Sequence, residues 1–224
     1  MKLLHKAALA LALLGGTGIA VRHAATGWAP SPADFPLQGV DLGEEPGAVE
    51  WGTVRAQGAD FAYLAATAGA DRRVPSFEAN WNALPAAGLR RGAVHLYSFC
   101  QDGRDQANAF NTVVPRVADA LPAAVDVQFR DDCTARPDRA ALVADLARFV
   151  ETVEAHTGKP VLLRIAEPVE DDYRLTEAID RPVWSLANFL RPDYAARPWR
   201  LWRASDLRRI EGIEGPVNWD VVAP

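Results

Sequence analysis

The sequence predicts one α/β domain, an irregular barrel of eight strands in which few helices follow the sixth strand. Short apolar runs alternate with amphipathic helical stretches between residues 38 and 187, which is typical of βαβ units around a parallel sheet. Beyond residue 187 the apolar runs follow one another without room for helices. Residues 37–224 are too few for eight full βα units, so a TIM-like barrel with a shortened second part fits better than an open doubly wound sheet.

Residues 1–27 have the composition of a targeting segment. A short basic start precedes an apolar stretch at 7–14, and residues 18–20 offer a small-x-small cleavage pattern. The apolar run is shorter than the about 20 residues that a membrane-spanning helix needs. We expect a cleaved signal peptide, with an uncleaved N-terminal membrane anchor as the alternative, and either one places the domain outside the cytoplasm, periplasmic or secreted. A Pro-rich linker at 28–36 then leads into the barrel at 37–224.

Composition excludes several classes of partner. The net charge is −5 and no basic run or basic–aromatic stripe occurs, so nucleic acid is not an expected partner. Gly43-Glu44-Glu45-Pro46 follows the first predicted strand and would repel phosphate, which disfavours nucleotide enzymes. We expect a monomer that uses no cofactor and no metal. The seven Trp and four Tyr residues suit sugar faces, although for any single Trp core packing is the commoner role.

The individual elements follow from apolar patterning and from glycines that end helices. The predicted strands are residues 38–42, 60–67, 91–99, 123–129, 161–165, 183–187, 200–204 and 217–222. The predicted helices are residues 49–57, 77–87, 105–117, 136–156 and 170–179, of which the first, second and fourth are closed by Gly58, Gly88 and Gly158.

The fourth predicted strand carries one carboxylate and one amide in an otherwise apolar run. Asp126 and Gln128 share a face, about 7 Å apart along the strand. A carboxylate in an apolar strand is costly unless it is solvated, paired or used. The strand leads into a polar stretch at 130–133, and the carboxyl ends of barrel strands are where active sites form. The alternative is an Asp that only caps a neighbouring loop.

Other polar and aromatic residues fall near the ends or along the faces of the predicted strands. Inward-facing polar groups from several strands that converge on one rim are how barrel sites are built. A lone His95 is more often a satisfied core histidine, but the set as a whole predicts a site. Its members are Asp41, His95, Tyr97, Asp126, Gln128, Trp184, Trp202, Asn218 and Asp220.

Several segments resemble glycoside hydrolase family 25, the Chalaropsis-type lysozymes or N-acetylmuramidases. The resemblance covers about residues 37–223 and is carried by Gly39-Val40-Asp41-Leu42, Val49-Glu50-Trp51, Lys159-Pro160-Val161 and residues 60–67, 77–81, 87–95, 121–127 and 201–217. It implies an irregular (β/α) barrel with a long groove for peptidoglycan glycan strands. It also implies cleavage of the β-1,4 bond between N-acetylmuramic acid and N-acetylglucosamine.

The sequence departs from this family at the positions that carry chemistry. The family's general-acid Glu corresponds to Gln128, and the Asp of its last strand corresponds to Asn218. Thr-Glu-Gly after the second strand has become Thr67-Ala68-Gly69, the usual Tyr of the fifth strand falls among residues 163–165, and Ser-His-His has become residues 43–45. Of the matching acids, Asp41 and Asp126 remain.

The resemblance therefore implies a catalytic set of Asp41, Asp126, Gln128 and Asn218, with His95, Tyr97, Trp184 and Trp202 binding substrate. The family is described with substrate assistance, in which the N-acetyl group attacks while an Asp orients it, and Asp41 or Asp126 can do that. Gln128 has no acidic proton to give to the leaving oxygen. We expect a domain that binds peptidoglycan or a related glycan with weak or lost hydrolysis. One alternative is an active muramidase with a substitute acid, Glu44, Glu45 or Asp131, and another is a protein-interaction scaffold.

Cys100 and Cys133 are the only cysteines and follow the third and fourth predicted strands. Adjacent parallel strands lie about 4.8 Å apart, so their loops can bring two Cα atoms within the roughly 4.4–6.8 Å of a disulfide. An exported protein meets an oxidising compartment, which favours the bond. We expect a disulfide, and two unrelated thiols are the alternative.

Overall fold

A computed structural model of the chain describes residue 18 and residues 20–224. The first part of the expected targeting segment, residues 1–17 and residue 19, lies outside the described residues. Residues 20–27 form helix α1, which precedes the linker. Within the described residues, no helix combines the length and the apolar character that a membrane span requires.

The strands are β1 (Gln38–Leu42), β2 (Phe61–Ala68), β3 (Arg72–Arg73), β4 (Arg90–Leu96), β5 (Ala124–Val127), β6 (Leu162–Ile165), β7 (Val183–Leu186), β8 (Trp199–Arg208) and β9 (Val217–Val222). The helices after α1 are α2 (Trp51–Ala56), α3 (Phe77–Ala83), α4 (Gly103–Val113), α5 (Arg139–Thr157), α6 (Glu167–Tyr173) and α7 (Leu175–Ala178), with a 3-10 turn at Pro85–Ala87. Every predicted strand is present. The predicted helix at 170–179 is divided into α6 and α7 because Arg174 takes a left-handed conformation, with φ 46°.

Eight of the strands close into a barrel in the circular order β1, β2, β4, β5, β6, β7, β8, β9. Neighbouring strands are parallel from β1 round to β8, whereas β9 runs antiparallel to both β8 and β1. The short β3 pairs with the end of β2, outside the ring. Strand β1 pairs with β2 on one side and with β9 on the other, so the sheet has no open edge there. The predicted barrel is therefore confirmed, and the alternative of an open doubly wound sheet is wrong.

The helices are concentrated in the first part of the barrel, as the sequence predicted. Parallel neighbours need a long crossover, and α2 to α7 lie within the connections that lead from β1 to β7. The described chain has no helix after Ala178. Strand β9 is antiparallel to β8, so a loop without a helix suffices between them.

The lower half of the barrel interior, at the end where the parallel strands begin, is filled by aromatic side chains. Tyr63 of β2 lies opposite Gly92 of β4, and a Cβ atom on Gly92 would sit 2.2 Å from the Tyr63 ring. Glycine at position 92 therefore makes room for Tyr63 inside the barrel. The Tyr63 ring packs on Trp184 of β7, with 4.8 Å between the ring centroids. This apolar plug leaves the polar interior positions to the upper, carboxyl-terminal half.

Cys100 and Cys133 form a disulfide with a Cα–Cα distance of 5.9 Å. The bond joins the loop after β4 to the loop after β5, as the sequence predicted. The backbone N–H of Cys133 donates to the Arg130 carbonyl at 3.3 Å. The disulfide thereby also fixes the backbone at Arg130, which contributes to the site above the barrel.

Candidate functional site

Asp126 lies inside the barrel at the carboxyl-terminal end of β5, opposite Leu96 of β4. The residue is only 1% exposed. Gln128 donates from Nε2 to Asp126 Oδ1 at 2.6 Å, and Arg130 donates from Nη2 to Oδ2. Arg164 Nε lies 3.2 Å from Oδ1 as an ion-pair contact. Both carboxylate oxygens are thus engaged by neighbouring side chains.

Asp41 of β1 lies directly opposite Asn218 of β9 and is 3% exposed. Its Oδ1 accepts from Arg164 Nη1 at 2.7 Å and from Asn218 Nδ2 at 3.0 Å. Burial alone would raise the pKa of Asp41, but the charges of Arg164 and Arg203 and the hydrogen bonds from Asn218 and Arg164 outweigh it. The pKa of Asp41 is therefore held below its usual range, and the group is ionised.

Arg164 connects these two carboxylates with a single guanidinium. It is the one charged residue of β6, whose other members Leu162, Leu163 and Ile165 are apolar and buried. Its guanidinium carbon lies 4.8 Å from the centroid of the Trp184 ring. Burial opposes its charge, but Asp41 and Asp126 more than compensate and raise the pKa of Arg164. A charge in the middle of an apolar strand is tolerated here because two carboxylates pair with it.

Asp220 is a third carboxyl in the same interior, and it is fully buried. Trp184 donates from Nε1 to Asp220 Oδ1 at 2.9 Å. Oδ2 of Asp220 and Oδ2 of Asp41 are both buried without a hydrogen-bond donor among the described residues. A proton held on Asp220 satisfies both atoms, since the protonated acid can donate to Asp41. Burial and the neighbouring Asp41 charge raise the pKa of Asp220 well above its usual range, which favours its protonated form.

The surface above the carboxylates, which we call the barrel mouth, is made of Gln128, Arg130, Arg203 and Asn218, all of them half-buried. Arg203 of β8 lies opposite Asp220 in the strand register. Gln128 and Asn218 each donate one amide N–H to a carboxylate and keep a second N–H and a carbonyl oxygen for other partners. The barrel mouth therefore presents guanidinium donors and amide groups, and the carboxylates lie beneath them.

The structure places His95 away from this cluster and corrects its predicted role in the cleft. His95 is fully buried, with Nδ1 2.8 Å from Thr67 Oγ1 and Nε2 3.1 Å from Gln106 Oε1 of α4. Its ring lies 4.7 Å from that of Phe149 of α5. Burial lowers the pKa of His95 to about 4, so the ring is neutral. It is a core histidine between the sheet and the helices.

Tyr97 and Trp202 also lie elsewhere, which corrects two further predictions. The Tyr97 ring packs on Phe149, and its hydroxyl donates to Asp145 of α5 at 2.5 Å. Trp202 belongs to a separate apolar cluster outside the barrel with Phe35, and its Nε1 donates to a backbone carbonyl. In both cases strand alternation turns the side chain to the outer face. Trp184 does lie with the carboxylates, but it is fully buried beneath them, where it contacts Asp220 and Arg164.

The remaining sequence candidates lie around the rim. Glu44 pairs with Arg72 at 3.4 Å, and Arg72 also pairs with Asp132. Glu45 and Asp131 are exposed. Beside Ala68, where the resemblance expects a Glu, a cavity of about 120 Å³ opens between Leu96, Arg130 and the loop of Cys100. No cluster of three potential metal ligands occurs among the described residues.

Arg164, Arg203 and the raised pKa of Asp220 were not predicted as parts of the site. Arg164 stands in an apolar strand, as Asp126 does, and the same reasoning about an uncompensated buried charge applies to it. Two opposite charges in two consecutive apolar strands are a signal that the strands pair as neighbours, and Asp126 of β5 does lie beside Arg164 of β6. Arg203 gives no such signal, because its strand is rich in polar residues.

Comparisons with known proteins agree with this architecture. Residues 40–213 match the model of the glycosyl hydrolases family 25. The uncharacterized protein YegX of Escherichia coli K12 is 29% identical over 197 residues, which cover 85% of this chain and 71% of that protein. Lysozyme M1 of Streptomyces globisporus is 38% identical over 66 residues, 29% of this chain and 22% of that protein.

Solved structures show the same fold. A family 25 glycosyl hydrolase from Bacillus anthracis superposes with a TM-score of 0.78 at 27% identity, covering 85% of this chain and 90% of that one. A bacterial lysozyme from Streptomyces coelicolor gives a TM-score of 0.75 at 22% identity, covering 84% and 92% of the two chains.

Proposed function

The chain belongs to the glycosyl hydrolases family 25, and from that premise we propose that it binds peptidoglycan glycan strands at the barrel mouth and hydrolyses them weakly or not at all. The observation that carries the proposal is the arrangement around Arg164. One guanidinium contacts both Asp41 and Asp126, the two acids that the resemblance retains. The position of the proton donor is held by Gln128, an amide.

The missing proton affects the first chemical step. Glycoside hydrolysis normally requires a carboxyl group that protonates the leaving oxygen. Gln128 has nearly the shape of Glu, but it donates an amide N–H to Asp126 and has no acidic proton. Loss of general acid catalysis typically lowers a rate by roughly 10²- to 10⁴-fold.

The paired carboxylates affect the second requirement, a group that orients or stabilises the reacting sugar. Asp41 and Asp126 are almost completely buried and are held by Arg164, Arg130 and the two amides. Separating a buried ion pair typically costs about 3–5 kcal/mol. To contact either carboxylate, a bound sugar would have to displace the arginine and amide side chains that hold it.

Binding remains possible because the barrel mouth offers hydrogen-bond donors. Glycan hydroxyls, acetamido carbonyls and carboxylates all accept hydrogen bonds, and Gln128, Asn218, Arg130 and Arg203 can donate to them. We propose that the protein is exported, since peptidoglycan lies outside the cytoplasm and since the Cys100–Cys133 disulfide suits an oxidising compartment.

The second candidate function is an active N-acetylmuramidase, and the raised pKa of Asp220 favours it. A general acid requires a carboxyl whose pKa is raised above its usual range. Asp220 is fully buried, however, and lies beside Asp41 beneath the amides. Proton delivery to a glycan would require a relay through Asp41, so we place this candidate second.

The two candidates are distinguished by measuring binding and turnover on one sample of purified peptidoglycan. Co-sedimentation gives binding, and release of reducing ends gives hydrolysis, with an active family 25 lysozyme as the positive control. We expect saturable binding with a turnover at least about 10²-fold below that of the control. Turnover equal to the control would establish the muramidase, and absence of binding would refute both candidates.

A further inference from the structure

We propose that the barrel mouth selects glycan strands whose sugars carry free carboxylates, as distinct from carboxylates on a peptide stem, and that Arg203 is the group that binds the sugar carboxylate. This inference rests on the proposed glycan binding and specifies which strands the site accepts. The site of the carboxylate is the interior edge of β8, beside Asn218 and above Asp220.

Arg203 is the arginine of this cluster that the neighbouring acids leave uncommitted. Its Nε is buried without a hydrogen-bond partner among the described residues, as are those of Arg130 and Arg164, but unlike them Arg203 forms no ion pair with an acid there. Its charge lowers the pKa of Asp41, yet the hydrogen bonds to that carboxyl come from Asn218 and Arg164. Asp220, which lies opposite Arg203 across the strands, accepts from Trp184 through Oδ1 and forms no ion pair with Arg203.

The other two arginines differ in this respect. Arg164 is bound to Asp41 and contacts Asp126, and Arg130 is bound to Asp126. Each of these two guanidiniums therefore has an acid as its partner. The guanidinium left without an acid partner among the described residues is that of Arg203, which is half-buried at the surface of the barrel mouth.

The guanidinium of Arg203 can form an ion pair with a carboxylate of the ligand. A guanidinium presents a planar fork of donors that matches carboxylate geometry, and hydrogen bonds between two charged groups are about twice as strong as neutral ones. The amide of Asn218 lies next to the same position and can donate a further hydrogen bond. By contrast, a site whose carboxylates face the ligand in order to stabilise a sugar cation would repel a carboxylate on that ligand.

Two sources supply this chemistry in glycans. N-acetylmuramic acid carries a lactyl carboxylate that is blocked as an amide while the peptide stem is attached and becomes free when the stem is removed. Uronic acid polymers carry a carboxylate on the sugar ring itself. The shared feature is a free carboxylate on a β-linked glycan strand.

The test measures binding of the full chain to four soluble probes. They are glycan strands with their peptide stems, the same strands after amidase treatment, amidase-treated strands whose carboxylates have been converted to methylamides, and a uronic acid polymer. We expect amidase-treated strands to bind about ten- to a hundredfold more tightly than the stem-bearing and methylamide strands. If the uronic acid polymer binds as tightly as the amidase-treated strands, the site accepts a carboxylate on the sugar ring as well as the lactyl carboxylate. If the polymer does not bind, the site is specific for the lactyl carboxylate of muramic acid.

The variants test the assignment to Arg203. Arg203→Gln should remove the preference for free carboxylates, and Arg203→Lys, which keeps the charge but loses the fork, should retain part of it. Arg200→Gln is the matched control, because Arg200 lies on the same strand, is exposed and borders the opposite end of the barrel. If all strands bind equally and Arg203→Gln changes nothing, the inference is wrong while glycan binding stands. If no strand binds, the proposed function itself fails.

Discussion

Arg164 hydrogen-bonds Asp41 across the full width of the barrel. In the circular strand order, β1 and β6 stand opposite each other, with three strands between them on either side. The 2.7 Å contact joins residues that are 123 positions apart in the chain. One side chain therefore closes the upper end of the barrel, above the plug of Tyr63 and Trp184.

We expect Arg164→Leu to lower the free energy of unfolding by about 3–5 kcal/mol at pH 7. The substitution leaves Asp41 and Asp126 as buried charges without their shared partner. Urea unfolding at pH 7 measures the loss, and Arg200→Leu on the surface is the control, with an expected change within about 0.5 kcal/mol. A loss equal to that of the control would mean that water already reaches the pair.

Asp220→Asn should not be destabilising at neutral pH, whereas Asp41→Asn should be destabilising by about 3–5 kcal/mol. Asparagine reproduces a protonated Asp220 that donates to Asp41, but it cannot replace the charge that pairs with Arg164. Because the folded pKa of Asp220 is raised, its contribution to stability is full below the unfolded pKa of about 3.9 and is lost as the pH rises towards the folded value.

The variant Asp220→Asn should therefore gain stability relative to wild type as the pH is raised above about 4. Urea unfolding of both proteins at pH 5 and pH 8 gives the comparison. A larger loss for Asp220→Asn than for Asp41→Asn would show that Asp220 is the ionised member of the pair.

Gln128→Glu should raise the rate of peptidoglycan hydrolysis by less than the roughly 10²- to 10⁴-fold of full general acid catalysis. The new carboxyl stands beside Asp126, whose charge favours its protonated form. Arg164 still blocks the neighbouring acids, so Gln128→Glu combined with Arg164→Tyr should gain more. The triple change Gln128→Glu, Ala68→Glu and Asn218→Asp tests the three lost carboxyls together.

Release of reducing ends from purified peptidoglycan measures each variant, and Gln57→Glu on the exposed end of α2 is the matched control. Wild-type protein that already works at the rate of an active family lysozyme would contradict the impaired site. If no variant hydrolyses peptidoglycan faster while glycan binding is intact, the cause of the impaired hydrolysis lies in the shape of the groove and not in the missing acids.

Reduction of the Cys100–Cys133 disulfide should lower the free energy of unfolding by about 3–4 kcal/mol, since the bond closes a loop over a sequence separation of 33. Urea unfolding with and without dithiothreitol measures it. In the double variant Cys100→Ser, Cys133→Ser the reductant should have no effect. An unchanged midpoint for wild type under reductant would show that the loops are held by packing alone.

Wild-type protein should lose about 2–3 kcal/mol of stability between pH 6.5 and pH 4 through His95. The folded pKa is lowered to about 4 by burial, whereas the unfolded chain takes up the proton near its usual value of about 6.5. The unfolded state thus binds more protons in this window, and stability falls as the pH falls. His95→Gln should flatten that slope in urea unfolding, and an equal slope in the variant would assign it to other groups.

The sequence was sufficient for the barrel, for the disulfide and for the inward placement of Asp126. The βα alternation and the single acid in β5 carry that information. It was not sufficient for the faces of β4, because residues 92–97 include no alternation of polar and apolar types. Either His95 or Leu96 could face inward on pattern alone. The shift in register between β2 and β4 at Ala65 and Thr67 adds to this ambiguity.

The polar network was harder to predict for another physical reason. Which cation neutralises Asp41 depends on which strands stand opposite in a closed ring, and that is a property of closure rather than of local sequence. Arg164 is visible in the sequence as a charge in an apolar run, but its partner on β1 is not. The raised pKa of Asp220 depends on its own burial and on the neighbouring Asp41 charge, which no spacing in the chain encodes.

The closure by β9 has a consequence for how the molecule assembles. Asn218 and Trp219 hydrogen-bond Asp41 and Gln38, contacts that span 177 and 181 positions of the chain. Contacts of such long sequence separation slow folding, because the entropy of loop closure is lost before the contact forms. The ring can close only after the last strand has been synthesised, so the buried arginine and its acids acquire their partners at the end of folding. A ribosome-bound chain that stops short of β9 should therefore remain sensitive to protease along its whole length.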